Sequence, residues 1–137
     1  MALSLKKYLS SALKWLIPFV FLETLICLLY LTKVTQAELF TIVNIVNIVC
    51  LLIPGAYHLI MFFFFLKKCK NVTPTQGVIS NWQAGFYRYT GSVIVKIDDN
   101  EYSTSAYFSN AECKELVGKT ISFAIIGETL FIYEIKN

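Results

Sequence analysis

The sequence predicts a membrane α-helical hairpin, two transmembrane helices joined by a short loop, followed by a small all-β barrel that carries one short helix. Three observations lead there. Of the 137 residues, 56% are hydrophobic and only 15% charged, and nearly all the long apolar runs lie before Lys67. Basic residues gather on the outer flanks of those runs. After Lys70 the texture changes to period-two alternation broken by turn residues.

The first apolar run, residues 15–31 (WLIPFVFLETLICLLYL), covers about 25 Å as a helix, enough to span a bilayer if it extends back past Lys14 with that side chain snorkelling. No small-residue cleavage motif follows it, so the segment reads as a retained helix rather than a signal peptide. Pro18 falls in its first turn, where a missing N–H costs least. Residues 32–39 form a loop, and residues 40–66 form the second helix, long enough to cross with tilt, with a kink expected at Pro54-Gly55. Residues 1–14 read as an interfacial amphipathic lead-in, with Leu3, Leu5, Leu9, Ala12 and Leu13 around Lys6 and Lys7. Residues 67–74 read as a basic juxtamembrane linker.

Lys6, Lys7 and Lys14 precede the first helix, and Lys67, Lys68 and Lys70 follow the second. The loop has Lys33, offset by Glu38. The positive-inside rule then places both termini in the cytoplasm of a two-pass protein, expected in a bacterial inner or plasma membrane. Residues 71–137 carry Arg88, Lys96, Lys114, Lys119 and Lys136 against Asp98, Asp99, Glu101, Glu112, Glu115, Glu128 and Glu134. The formal charge of +3 thus reports a basic flank joined to a mildly acidic tail, and nucleic acid is not an expected partner.

Glu23, Asn44, Asn47 and His58 are the residues that hydrocarbon should reject, at a cost of at least about 2.5–3.5 kcal/mol for a lone charge. Glu23 lies about 12 Å below the outer end of its helix, and the same depth in the second helix falls at Ile48, beside Asn47 and one turn below Asn44. A bond from Glu23 to Asn47 or Asn44 would fix the register of the pair. That cluster reads either as helix-packing glue or as a functional element, in contact with a partner's helix or on a proton or ion path built by several copies. His58, about 27 Å below the outer end, falls near the cytoplasmic headgroups as an interfacial residue.

In residues 75–137, 77–82 read as a first strand. Residues 92–98 and 101–108 form a hairpin around Asp98-Asp99-Asn100, with Val93, Val95 and Ile97 on one face and Tyr102, Thr104, Ala106 and Phe108 on one face of its partner. Asn110 is placed to N-cap a short helix that Gly118 stops. Residues 119–126 and 129–136 form a second hairpin around Gly127-Glu128. Five strands in so short a segment favour a closed barrel, which leaves no bare edge.

The runs Thr90-Gly91-Ser92-Val93-Ile94-Val95, Glu101-Tyr102-Ser103-Thr104-Ser105-Ala106, Val117-Gly118-Lys119-Thr120-Ile121 and Gly127-Glu128-Thr129-Leu130-Phe131-Ile132, set behind a membrane segment, resemble the NfeD-like proteins in their short form. The resemblance covers about residues 75–137. It implies an OB-like, non-enzymatic barrel that partners a stomatin-like or other membrane scaffold protein. The chain departs from that pattern at residues 83–89 (QAGFYRY), where a short proline turn would be expected.

Trp82, Phe86, Tyr87, Arg88 and Tyr89 make an aromatic-basic cluster between the first two strands, of the composition favoured at protein interfaces. No Walker loop, HExxH, G-x-S-x-G or metal-spaced Cys and His occurs in the sequence, and Cys27, Cys50, Cys69 and Cys113 form no CxxC pair. No catalytic residue, cofactor or metal is therefore expected. The expected function is an accessory membrane protein whose β domain is an adaptor for another membrane protein. The alternative is a small membrane immunity protein or an oligomeric ion or proton permeation element centred on Glu23, Asn44 and Asn47, and homo-oligomerisation is left open.

Overall fold

The computed structural model describes residues 1–86, 90–105 and 107–136. Two long apolar helices are followed by a curled six-strand mixed sheet, a half-barrel. Residues Tyr8–Phe62 form one compact unit, while Met1–Lys7 and Phe63–Asn137 form another.

In the helical unit, α1 (Leu3–Leu31) is a single 29-residue helix, about 43 Å long. Residues 3–14 are therefore continuous with the first helix. The helix ends where Lys33 turns left-handed (φ 57°). The N–H of Lys33 donates to the Tyr30 carbonyl and that of Val34 to the Leu29 carbonyl, each at 3.0 Å, a Schellman closure with lysine where glycine is usual. The second helix runs without interruption over Ala37–Asn71. It comprises α2 (Ala37–Asn47), a π turn at Ile48–Leu52, α3 (Ile53–Lys68) and a final 3-10 turn, Cys69–Asn71.

The π turn has a definite cause and a definite consequence. Pro54 has no N–H, and its ring collides with the carbonyl four residues back in an α-helix. Widening the preceding turn, so that the Ile53 N–H reaches the Ile48 carbonyl, accommodates it. The consequence is rotational. Asn47 and Gly55 both face α1: Asn47 Nδ2 donates to Glu23 Oε2, and a Cβ on Gly55 would come within 2.6 Å of Leu16 Cδ2. Eight α-helical steps would turn those two positions about 80° apart, whereas a π turn absorbs roughly one residue and leaves about 20°.

In the second unit the strands are β1 (Thr75–Val78), β2 (Asn81–Gln83), β3 (Ser92–Ile97), β4 (Asn100–Ser103), β5 (Thr120–Ile126) and β6 (Thr129–Lys136). Their order in the sheet is β1-β5-β6-β4-β3-β2. All neighbours are antiparallel except β4 and β6, which meet in parallel at Ser103 and Thr129. The single strand expected over residues 77–82 is two strands joined by a bend. Val78 is opposite Thr120 on β5, the Ile79 N–H donates to the Lys119 carbonyl at 3.1 Å, and the Ser80 N–H then crosses to the Ile94 carbonyl at 2.9 Å. The two ends of the strand order are thus consecutive pieces of one bent segment, which is why the sheet curls. Strand β4 is shorter than expected: past Ser103 the Thr104 N–H donates to the Val93 carbonyl at 3.0 Å, and an isolated bridge joins Gly91 with Phe108.

The core gathers Ile79, Val93, Val95, Phe108, Cys113, Leu116, Ile121, Phe123, Leu130 and Ile132. Helix α4 (Asn110–Leu116) closes it from one side. Its N-cap is Ser109 rather than Asn110, in a capping box: Ser109 Oγ accepts the Glu112 N–H and Glu112 Oε2 accepts the Ser109 N–H. Gly91 lets this helix approach, since a Cβ there would lie 2.8 Å from Asn110 Oδ1 and 2.9 Å from Cys113 Sγ.

The ends of both long helices belong to this unit. A bulge leaves Tyr133 without a partner on β5, where Ser122 faces Glu134 and Phe123 faces Ile132, and ahead of it Leu130, Phe131 and Ile132 are buried in succession. Phe131 stacks on Phe65 with ring centroids 5.6 Å apart. Ser4 Oγ accepts the Ile132 N–H at 2.8 Å, and the Tyr133 hydroxyl donates to the Cys69 carbonyl at 2.9 Å. Helix ends therefore cover an edge of β6 that would otherwise be bare.

If the π turn exists to seat Pro54 while keeping Asn47 and Gly55 on one face, deleting Val49 (54% exposed) together with Pro54→Ala should give a plain α-helix in the same register. Circular dichroism melts in detergent should find this variant at least as stable as the parent. Failure of the combined variant to fold would contradict the account.

Candidate functional site

Two places hold the residues of interest. Within the helical unit, the chain reverses so that Tyr30 stacks on Phe40 with centroids 4.4 Å apart. Glu23 then meets Asn47, and Leu16 meets Gly55. Asn47 is 4% exposed, and its Nδ2 donates to Glu23 Oε2 at 2.8 Å and to the Phe19 carbonyl at 3.5 Å. Asn44 instead turns to its own helix, its Nδ2 donating to the Phe40 carbonyl at 2.9 Å. The Oδ1 atoms of both asparagines are buried without a hydrogen-bond partner. Beside Asn47 opens an apolar groove of about 260 Å³ lined by Leu22, Ile26, Val43, Val46, Cys50 and Leu51. His58 is half-buried and meets the Tyr57 ring edge-on at 5.5 Å; it is eleven residues past Asn47 and takes no part in the cluster.

The two long helices are long and apolar enough to cross a membrane, with mean hydropathies of 2.0 and 2.2 in their most apolar stretches, of which only 6% and 17% is buried. Little of either helix is buried within the chain. Ile17, Phe21, Leu31 and Ile60 are each more than 60% exposed, and a continuous apolar surface of this kind demands an apolar neighbour.

The second place is the segment after β2. Trp82 is half-buried, packs against the core, and carries Lys114 Nζ 5.5 Å from its ring centroid; it holds the sheet as much as it offers a surface. Phe86 is 94% exposed, the only aromatic among the large hydrophobics exposed in the described residues from 71 onward. Tyr87, Arg88 and Tyr89 lie outside the described residues.

A polar clasp absent from the sequence reading is Lys7 with Glu112. The two pair at 2.6 Å, and Lys7 Nζ also lies 4.9 Å from the Phe108 ring centroid. Burial pushes the Glu112 carboxyl up, but the hydrogen bond from Lys7, the Ser109 N–H and the Lys7 charge outweigh it and hold the carboxyl below its ordinary value. Beside it, burial raises the Cys113 thiol to about 11, with Glu112 adding and Lys7 opposing, so this cysteine is a poor nucleophile and a core residue. Burial likewise raises the Tyr133 hydroxyl. The Ser-x-x-Glu spacing of 109 and 112 was the readable signal for the cap; nothing local marks Lys7, 105 residues away from its partner. Among the described residues, no group of three or more His, Cys, Asp or Glu could hold a metal ion.

A carboxyl held low in the folded state stabilises fully above its ordinary value of 4.5 and loses that contribution as pH falls through the folded value. Thermal melts should therefore find wild type more stable than Lys7→Met at neutral pH, with the gap closing in acid below that value. A gap undiminished in acid would assign the effect to packing over Phe108 instead of the ion pair.

No protein-family model, curated protein or solved structure matches this chain.

Proposed function

We propose that the chain is a two-pass integral membrane protein with both termini in the cytoplasm, and that its β unit, read as an OB-like barrel of NfeD-like type, is a non-enzymatic adaptor for another membrane protein such as a stomatin-like scaffold. The bilayer supplies the apolar neighbour that the exposed faces of the two long helices require. The lysine asymmetry of the flanks supports the orientation, in a bacterial inner or plasma membrane.

One observation carries the adaptor reading: Phe86 stands 94% exposed on a unit that buries or half-buries its other described aromatics beyond residue 71. It is followed at once by Tyr87, Arg88 and Tyr89. Aromatic and arginine side chains on one short segment are the composition that dominates binding energy at protein interfaces. The Trp82 indole, packed on the core beside Lys114, anchors the segment at its base.

The test is cross-linked co-purification of the full chain from native membranes. A larger membrane protein should co-purify with the wild type and be lost when Phe86, Tyr87 and Arg88 are changed together to alanine, at unaltered membrane level. Undiminished capture by that variant would remove the segment as the binding surface.

A further inference from the structure

The end of the second long helix has its rotation fixed by β6. Phe65 stacks on Phe131, and one turn later the Cys69 carbonyl accepts the Tyr133 hydroxyl. Positions 65 and 69 therefore face the sheet, and the opposite side of the helix faces away from it. That side carries Phe63 and Phe64, 57% and 48% exposed, and then Lys67, Lys68 and Lys70, all exposed. Phe63 and Lys67 are one turn apart, as are Phe64 and Lys68, and Lys68 Nζ lies 5.8 Å from the Phe64 ring centroid. The outward surface is thus apolar over one turn and cationic over the next.

The start of α1 reaches the same stretch of β6. Ser4 Oγ accepts the N–H of Ile132, the residue between Phe131 and Tyr133, and Lys6 is exposed two positions further on. The charge of Lys6, Lys67, Lys68 and Lys70 is not answered within the chain. Residues 1–22 and 39–97 contain no acid. Among the described residues none of these four lysines is in an ion pair, whereas the neighbouring Lys7 is taken up by Glu112. On β6 itself Glu134 and Lys136, both exposed, offset each other.

We infer that Lys6, Lys67, Lys68 and Lys70, together with Phe63 and Phe64, form a binding surface for a phosphate-bearing anionic amphiphile, an acidic phospholipid of the bilayer. The ammonium groups answer the phosphate as point charges. The two phenylalanines, one turn away, answer an acyl chain, which a free phosphate lacks, and this favours the lipid. Lysines clustered beside a membrane helix are drawn to acidic lipid headgroups, and salt screens that attraction. The inference rests on the bilayer placement proposed above and not on the adaptor reading.

The test uses the full chain purified in a neutral detergent and native mass spectrometry of the lipids it retains. Phosphatidylglycerol and phosphatidylcholine with identical acyl chains are offered in equal amounts, and glycerol 3-phosphate is offered separately. The wild type should retain phosphatidylglycerol about tenfold over phosphatidylcholine, with a preference that shrinks as salt is raised. Lys6→Gln, Lys67→Gln, Lys68→Gln and Lys70→Gln combined should abolish the preference. The matching arginine variant should keep it, which separates loss of charge from loss of fold. Equal retention of the two lipids by the wild type overturns the inference, as does a preference that survives in the glutamine variant or is lost in the arginine variant. Glycerol 3-phosphate bound as tightly as phosphatidylglycerol also overturns it, by assigning the lysines to a free phosphate. A wild-type chain that retains neither lipid overturns the bilayer placement along with this surface.

Discussion

The bond from Asn47 to Glu23 is the constraint on which the helical unit depends. The two apolar helices could slide past each other at little cost, because one apolar face packs on another about equally well in several registers. A carboxyl and an amide among apolar side chains remove that freedom, since each loses a partner if the helices shift by a turn. With Glu23 opposite Asn47, Tyr30 falls on Phe40 at the loop end and Leu16 on Gly55 further along. The π turn at Ile48–Leu52 belongs to the same constraint, because it keeps Gly55 on the face that Asn47 already occupies. Local strain at Pro54 and pairing between helices are met by one irregularity.

Strand β6 plays the corresponding part in the second unit. Its inner face supplies Leu130 and Ile132 to the core, its outer face receives Phe65 on Phe131, and its edge is closed by Ser4. Leu130 and Ile132 are buried by the core and Phe131 by the Phe65 ring, so three consecutive residues leave solvent. A surface offered by the β unit is therefore built on a sheet that holds both helix termini, and the first seven residues belong to its fold. The Lys7–Glu112 pair and the Phe108 ring extend that attachment to α4.

Features set by local pattern were legible in the sequence. Two long apolar runs, the alternation in β3, β5 and β6, and glycine at the left-handed positions 118 and 127 all follow from composition within a few residues. Opposite placement of Glu23 and Asn47 follows from counting equal depths from a short loop. Features set by distant partners were not legible. Residues 3–7 look like an amphipathic lead-in because the strand that Ser4 caps comes 128 positions later. The bend at Ile79 and Ser80 depends on which of two strands each amide finds. Ser109, whose spacing to Glu112 carries the capping-box pattern, caps α4 in place of Asn110. That Trp82 packs against the core was not legible either, because its packing partners are scattered along the chain.

The central claim, that a polar pair fixes the register of two long apolar helices, is tested most directly by a double-mutant cycle. Unfolding free energies of wild type, Glu23→Ala, Asn47→Ala and the double variant would be measured in bicelles. A favourable coupling of about 1 kcal/mol between the two positions is predicted. Strictly additive losses, with no coupling, would contradict the account.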